Sequence, residues 1–177
     1  SKIAKKYNLY IVEDAAQAFG GKFKNKFAGN YSHIAAFSMN PMKCLNGFGE
    51  GGLVVTNNKK LYDKVKILRY AGTTSDPKKL ITNNCVEVSL NHKMDTINAA
   101  MLLVSYKYFK KKISKLRNIR EFYDKHLDKT VITQKIRKFE TPGMYAYPIQ
   151  VNNRDKIKSF LQRKAIETKI WNDPLIS

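Results

Sequence analysis

The sequence holds few cysteine and histidine residues, and each shortage excludes a class of protein. Its two cysteines, Cys44 and Cys85, cannot build a disulfide framework, so we expect a protein of the reducing cytoplasm. Its three histidines, His33, His92 and His126, lack the spacing of metal ligands, and we expect no bound metal. No hydrophobic run approaches the roughly 20 residues of a membrane span, and no signal peptide opens the sequence, so we expect no membrane partner.

Acidic side chains are also scarce. Aspartate and glutamate number 14 against 33 lysine and arginine residues, which leaves a net charge of +19. Such a surplus is typical of proteins that bind nucleic acid or an anionic membrane surface. Most of these cations are lysine, whereas arginine is the better reader of bases and phosphates. A solvated basic surface is therefore the favoured interpretation, and a basic, non-catalytic nucleic-acid-binding domain is the alternative.

The composition is that of a folded chain. Hydrophobic residues make up 43% of the 177 residues, enough to bury a core. Neither end carries a turn or cap that would close a domain, because the sequence opens on Ser1 and stops at Ser177 without such a signal. We therefore expect a fragment of a longer protein.

Short apolar runs alternate with helical patterns along the first two thirds of the sequence. The run Leu9–Val12 is apolar without alternation, which predicts a strand buried on both faces, as in parallel α/β sheets. The long helical pattern would bury one apolar face, comprising Met94, Ile97, Ala100, Met101, Val104, Tyr108 and Ile113. The predicted elements are strands at 9–12, 34–38 and 53–56, helices at 59–70 and 94–127, a loop or short hairpin at 20–29 and an exposed loop at 71–84.

The composition changes near residue 128, and a β-α-β pattern follows that point. Strands predicted at 145–151 and 166–171 flank a helix predicted at 154–163. We therefore expect a domain boundary that separates residues 1–127 from residues 128–177.

Three glycines match a dinucleotide-binding motif in letters only. Gly47, Gly49 and Gly52 satisfy G-x-G-x-x-G, but that motif must follow a strand and open a helix. These glycines precede the strand predicted at 53–56, so the dinucleotide-binding interpretation fails. The remaining interpretation is a glycine-rich loop whose backbone can pass close to a bound group.

An acid and a lysine follow two of the predicted strands. Asp14 comes at the end of the first strand and Lys43 follows the second, and ligands of open α/β sheets bind outside the carboxyl ends of strands. Apolar neighbours of Lys43 would favour its neutral, nucleophilic amine. An acid that pairs with a pyridinium nitrogen and a lysine that forms a Schiff base are the minimum equipment of a pyridoxal 5′-phosphate (PLP) enzyme, with Ser38 a candidate phosphate ligand. Spacing alone leaves two simpler alternatives open: Asp14 as a helix cap and Lys43 as a surface lysine.

Three motifs extend this pattern. The segment Val12–Ala18 resembles the D-A-A-Q/H segment of the DegT/StrS family of sugar aminotransferases. Residues 37–43 with Gly49–Gly52 look like that family's F-S-x-x-P-x-K and G-D/E-G-G segments. Residues 89–95 with Ala99–Ala100 are similar to its N-x-R-M stretch. The three occur in the family's order and spacing, and the resemblance covers essentially the whole sequence.

This resemblance implies an α/β fold like that of the fold-type-I PLP aminotransferases, with a mostly parallel sheet and helices on both faces. Residues 1–127 would form the second half of the PLP-binding large domain together with its linking helix. Residues 128–177 would form part of a small α/β C-terminal domain.

The resemblance also implies roles for five residues. Lys43 would be the catalytic lysine, which forms the Schiff base with PLP and carries a proton between substrate and cofactor. Asp14 would keep the pyridine nitrogen protonated, and Gln17 would contact the ring near its hydroxyl. Ser38 would hold the phosphate. Asn91 would reach the phosphate site of the neighbouring subunit, since family members are homodimers with shared active sites.

The implied reaction transfers an amino group, with glutamate the expected donor, to a nucleotide-linked keto-deoxy sugar for surface polysaccharide or amino-sugar biosynthesis. Lys43 stands where the family's dehydratase branch has histidine, which favours amino transfer; a PLP-dependent dehydratase or regulatory member of the same fold is a further alternative. The resemblance names neither the sugar nor its nucleotide. Three residues depart from the family pattern and bear on substrate detail: Lys93, Asn40 and Met42, where arginine, histidine and threonine are usual.

Overall fold

The computed structural model of the protein describes residues 2–76, 78 and 81–170. The helices are α1 (Lys2–Lys6), α2 (Lys59–Arg69), α3 (Thr96–His126) and α4 (Arg154–Arg163). The strands are β1 (Val12–Asp14), β2 (Lys22–Phe23), β3 (Lys26–Phe27), β4 (Ile34–Ser38), β5 (Gly52–Val55), β6 (Thr73–Asp76), β7 (Ile81–Cys85), β8 (Ile132–Thr133), β9 (Glu140–Thr141) and β10 (Ile149–Gln150).

A three-stranded sheet in the order β1-β4-β5 organises the first half of the chain. Strands β1 and β4 are parallel, with Asp14 opposite Ala36. Strands β4 and β5 are antiparallel, with Ser38 opposite Gly52. The carboxyl ends of β1 and β4 therefore lie at the same edge of the sheet, where β5 begins.

Helix α3 packs against one face of this sheet. Along β4 the side chains alternate, and the buried ones are Ala35 and Phe37. Leu102 of α3 is buried in the same core, and Phe109 packs against its edge. The buried core consists of Ala15, Ala35, Phe37, Met39, Leu45 and Leu102.

The buried face of α3 differs from the apolar face that periodicity selected. Ile113 is buried as expected, but Ile97 and Val104 are exposed, at 77% and 58%. The helix carries apolar residues on more than one side, so periodicity alone could not decide which side meets the sheet. Although α3 has 31 residues, no helix in the described residues is long and apolar enough to cross a membrane.

The opposite face of the sheet is open, which makes the prediction of a strand buried on both faces wrong. Val12 of β1 is 73% exposed and Val54 of β5 is 51% exposed. Strand β1 also starts at Val12 and not at Leu9. An apolar run shows that its side chains can be buried, but burial also requires another element that packs over them. Among the described residues, no element packs over this face of the sheet.

Two hairpins leave the sheet region. Strands β2 and β3 form the short hairpin expected at 20–29, and its turn residues Lys24 and Asn25 have φ of 45° and 64°. The exposed loop predicted at 71–84 is instead a hairpin of β6 and β7. Its sequence is mostly polar, but hairpin pairing uses backbone groups and does not need an apolar pattern.

The C-terminal part is less regular than predicted. Helix α4 is confirmed, but the strand predicted at 145–151 shortens to Ile149–Gln150, since Pro148 has no N–H to donate to a ladder. The strand predicted at 166–171 is absent over 166–170, where no described strand lies alongside; Trp171 lies outside the described residues. Strand β9 pairs with β2, so a sheet crosses the predicted domain boundary, which stays a prediction.

Arg120 joins α3 to the C-terminal part. Its side chain is buried, and its Nη2 donates to the carbonyl of Gln134 at 2.8 Å. Its Nε lies 3.4 Å from Asp124 Oδ2, and the other carboxylate oxygen, Oδ1, accepts a hydrogen bond from the Tyr147 hydroxyl at 2.6 Å. Burial, reinforced by Asp124, raises the pKa of Tyr147 to about 12, so the phenol remains a donor throughout the physiological range.

Replacement of Arg120 by methionine tests this connection. The Gln134 carbonyl and Asp124 would lose their buried donor, and we expect the free energy of unfolding to fall by about 2 kcal/mol. Urea unfolding of Arg120→Met measures the change, with Arg117→Met, at an exposed position of the same helix, as the matched control. Equal stability of the two variants would contradict the assignment.

Candidate active site

Asp14 and Ser38 lie at the carboxyl edge of the two parallel strands. Asp14 is opposite Ala36, and Ser38 follows two residues later on the same strand. Side chains two residues apart point to the same face, so Asp14 and Ser38 share the open face of the sheet. Asp14 Oδ1 accepts a hydrogen bond from the backbone N–H of Ala16 at 3.0 Å. This contact closes a turn and not a helix, so the helix-cap alternative for Asp14 is wrong.

A tight loop carries the chain from Ser38 to Lys43, and Asn40 shapes it. Ser38 Oγ accepts a hydrogen bond from the N–H of Asn40 at 3.3 Å, and Asn40 Oδ1 accepts one from the N–H of Met42 at 2.9 Å. The N–H of Lys43 donates to the carbonyl of Asn40 at 2.9 Å. Asn40 Nδ2 also donates to Glu50 at 2.6 Å, which ties this loop to the glycine-rich segment.

Lys43 is half-buried, and its amine lies over an aromatic ring of the C-terminal part. Its Nζ lies 4.6 Å from the centroid of the Tyr145 ring. The apolar surroundings expected of Lys43 are present only in part, because Met39 and Leu45 are buried in the core whereas Met42 and Phe48 are 70% and 66% exposed. The amine therefore faces a boundary between core and solvent.

Asn98 on α3 holds the glycine-rich segment in place. Its Oδ1 accepts hydrogen bonds from the N–H groups of Phe48 and Gly49 at 2.9 and 3.2 Å, and its Nδ2 donates to the carbonyl of Glu50 at 3.0 Å. A Cβ at Gly47 would lie 2.6 Å from the same amide oxygen, so any larger residue here would push the Asn98 side chain aside. Sequence analysis missed Asn98, since no spacing rule connects residues about fifty positions apart.

Cys44 fastens the loop after Lys43 to the C-terminal part. Its Sγ donates to the carbonyl of Gly143 at 2.7 Å. Burial raises the pKa of the Cys44 thiol, and the nearby ammonium groups of Lys112 and Lys43 oppose this by lowering it. Both cysteines are free thiols in the structure.

The two remaining predicted site residues lie in different places. Gln17 is exposed on the turn after Asp14 and so belongs to the same edge of the sheet. Asn91 is exposed beside Tyr70, with which it forms a backbone bridge. It lines a cavity of about 190 Å³ together with Lys93, whose Nζ lies 4.2 Å from the Tyr70 ring. The fold thus groups Asp14, Gln17, Ser38 and Lys43, and Asn91 lies in a separate cavity that none of these four lines.

The sequence of the chain matches a known protein family over its whole length. The family model of the DegT/DnrJ/EryC1/StrS aminotransferases matches residues 1–177. The chain belongs to this family. This match confirms the family that the three sequence motifs predicted.

Two relatives carry names that refer to nucleotide sugars. The chain is 34% identical over 151 residues to UDP-4-amino-4,6-dideoxy-N-acetyl-beta-L-altrosamine transaminase of Campylobacter jejuni subsp. jejuni serotype O:23/36 (strain 81-176), covering 84% of this chain and 39% of that protein. It is 33% identical over 171 residues to GDP-perosamine synthase of Escherichia coli O157:H7, covering 95% of this chain and 46% of the relative. The chain thus spans less than half the length of these two relatives.

A solved structure confirms the α/β aminotransferase fold. A DegT DnrJ EryC1 StrS aminotransferase from Brucella abortus superimposes with a TM-score of 0.89 at 30% identity, covering 96% of this chain and 44% of that one. Because the match covers nearly the whole chain, the sheet edge that carries Asp14 and Ser38 belongs to a DegT-family fold.

Replacement of Asn98 by alanine tests how the glycine-rich segment is held. The amides of Phe48 and Gly49 would lose their acceptor, and we expect their hydrogen exchange to accelerate about tenfold, which corresponds to 1.4 kcal/mol. Exchange followed by mass spectrometry or NMR measures this, with Asn118→Ala at an exposed position of α3 as the matched control. Unchanged protection of both amides in Asn98→Ala would show that another contact holds the segment.

Proposed function

We propose that the protein is a PLP-dependent aminotransferase that transfers an amino group, from glutamate as donor, to a nucleotide-linked keto-deoxy sugar for surface polysaccharide or amino-sugar biosynthesis. The observation that carries the proposal is the placement of Asp14, Ser38 and the Lys43 loop at one edge of a sheet. The names of the relatives, which act on UDP- and GDP-linked sugars, support the substrate class.

The residues at this edge fit PLP. Among the described residues Asp14 forms no ion pair, and its recorded hydrogen bond uses only one of its two carboxylate oxygens. A carboxylate in this state is available to a protonated ring nitrogen. Ser38 presents a hydroxyl on the same open face, and Lys43 presents a primary amine within the following loop.

When bound, PLP supplies an aldehyde for attachment and an aromatic ring that takes up electrons from the substrate carbon. Asp14 would keep a proton on the ring nitrogen, which would leave the ring electron-poor. Lys43 would attach the cofactor through its amine and, once released, would move the proton between substrate and cofactor. Ser38 would donate a hydrogen bond from its hydroxyl to the phosphate, and Gln17 would contact the ring near its hydroxyl.

Asn91 supports a homodimer with shared active sites. Its side chain is exposed, and its cavity is lined by none of the other four site residues. Such a position suits a residue that binds the phosphate of a neighbouring subunit, with the positive charge of Lys93 beside it.

The free thiols of Cys44 and Cys85 support a location in the cytoplasm, where thiols stay reduced.

Covalent labelling tests the function. The longest protein encoded by the reading frame that contains this chain is mixed with PLP, reduced with borohydride and weighed intact. We expect one phosphopyridoxyl adduct on the protein, lost in Lys43→Ala because the amine is gone, and kept in Lys60→Ala, which removes an exposed lysine of α2.

Two outcomes would overturn the proposal. A folded protein without any adduct would show that the site does not take PLP. An adduct that persists in Lys43→Ala would show that another lysine reacts.

Replacement of Asp14 by asparagine separates binding from catalysis. An amide cannot keep the ring nitrogen protonated, so we expect the adduct to form on Lys43 while glutamate-dependent amination falls by on the order of a hundredfold. Single-turnover amination measures the fall, with Asp63→Asn on α2 as a carboxylate-removing control. Full activity in Asp14→Asn would exclude the role given to this carboxylate.

A further inference from the structure

A short segment of the C-terminal part, around Gly143 and Tyr145, contacts both the loop that carries Lys43 and the turn after Asp14. The carbonyl of Gly143 accepts the hydrogen bond of the Cys44 thiol, and Cys44 is the neighbour of Lys43. A Cβ on Gly143 would come within 2.9 Å of the carbonyl oxygen of Gln17, so this segment also touches the turn after Asp14. Two residues further along, the Tyr145 ring lies 4.6 Å from Lys43 Nζ.

The contact between Lys43 and Tyr145 is an interaction of a cation with an aromatic face. The separation is within the roughly 6 Å over which an ammonium is attracted to the negative face of a ring. Both residues are half-buried, and partial removal of water strengthens this attraction. The face of the ring is therefore placed to attract the amine of Lys43 whenever that amine carries a charge.

The position of the ring is fixed from both sides. Gly143 is held by Cys44 and packs against Gln17, as described above. On the other side of Tyr145, the Tyr147 hydroxyl donates to Asp124 at 2.6 Å. Because the segment is held two residues before and two residues after Tyr145, the fold places the backbone of Tyr145 beside Lys43.

We propose that Tyr145 is a positioning residue for Lys43, and that its ring binds the ammonium formed each time this lysine takes a proton from the substrate carbon. This inference rests on the proposed function, because only a lysine that moves protons needs a stabilised ammonium. The proton would pass from the substrate carbon to the amine of Lys43 and from that amine to the cofactor, so no other reactant is required. Asp14 and Lys112 are charged groups near the site, and Cys44 is the titratable neighbour of Lys43; all remain in the variants below.

Two rates should respond to Tyr145 in opposite directions. The aldehyde of PLP is attacked by the neutral amine, whereas the ring face attracts the charged amine. At pH values where the unmodified protein is labelled at less than half of its maximal rate, we therefore expect adduct formation in Tyr145→Leu to be three- to tenfold faster than in the unmodified protein. Amination turnover should fall three- to tenfold, because the ammonium intermediate is less stable.

The probe is PLP itself, added to the cofactor-free form of the longest protein that the reading frame encodes. The amine condenses with the aldehyde and releases water, and borohydride then delivers hydride to the new C=N bond, so that the mass of quenched samples gives the rate. Tyr145→Phe keeps the aromatic face and should match the unmodified protein in both rates. Gly143→Ala should shift both rates in the direction of Tyr145→Leu, because its new methyl group displaces the segment from the Gln17 turn.

Tyr62→Leu on α2 is the matched control, because it removes the ring that lies 5.7 Å from Lys59 Nζ, away from the site, and should leave both rates unchanged. Tyr147→Leu removes the second anchor of the segment, the hydrogen bond to Asp124, and should shift both rates in the same direction as Gly143→Ala. The inference fails if Tyr145→Leu labels at the unmodified rate at every pH, if Tyr145→Phe behaves like Tyr145→Leu, or if both rates fall together as general damage would cause. Absence of an adduct on the unmodified protein overturns the proposed function itself, which distinguishes the two failures.

Discussion

Parallel pairing of β1 with β4 is the constraint on which the rest of the site depends. Parallel strands end on the same side, so Asp14 and Ser38 reach one edge although they lie far apart in sequence. The alternation of side chains then places both on the open face, while Ala35 and Phe37 turn to the core. A shift of the register by one residue would exchange these faces and move the carboxylate away from the edge.

Helix α3 supports this edge from the opposite face of the sheet. Leu102 joins the core that holds β4, and Asn98 binds the glycine-rich segment that follows the lysine loop. Lys112 donates to Asn46 at 2.9 Å, which adds a second attachment to that loop. Further along, Arg120 fixes the C-terminal part, whose segment around Gly143 returns to Lys43. One long helix therefore sets the geometry of both the loop and the segment that crosses it.

Much of the fold followed from local patterns. Strand β4 and helix α4 were predicted with their observed bounds, and the helix predicted at 59–70 ends one residue beyond α2. The errors concern features that depend on distant partners. The hairpin of β6 and β7 was missed because its sequence is polar. Val12 is exposed, because its burial would need a second element packed over the sheet, which the local sequence cannot reveal. Likewise, α3 has apolar residues on several sides, and contact with Phe37 and Met39 decides which side is buried.

The sequence by itself determined the family and the chemical inventory, because the acid, the serine and the lysine sit in short motifs whose order and spacing are local properties. The tertiary structure alone decided which residues surround the amine. Tyr145 and Gly143 lie about a hundred positions from Lys43, and Asn98 lies about fifty from the loop it holds. No periodicity links such residues, since their contacts arise from packing of separate elements and not from the chain's local conformation.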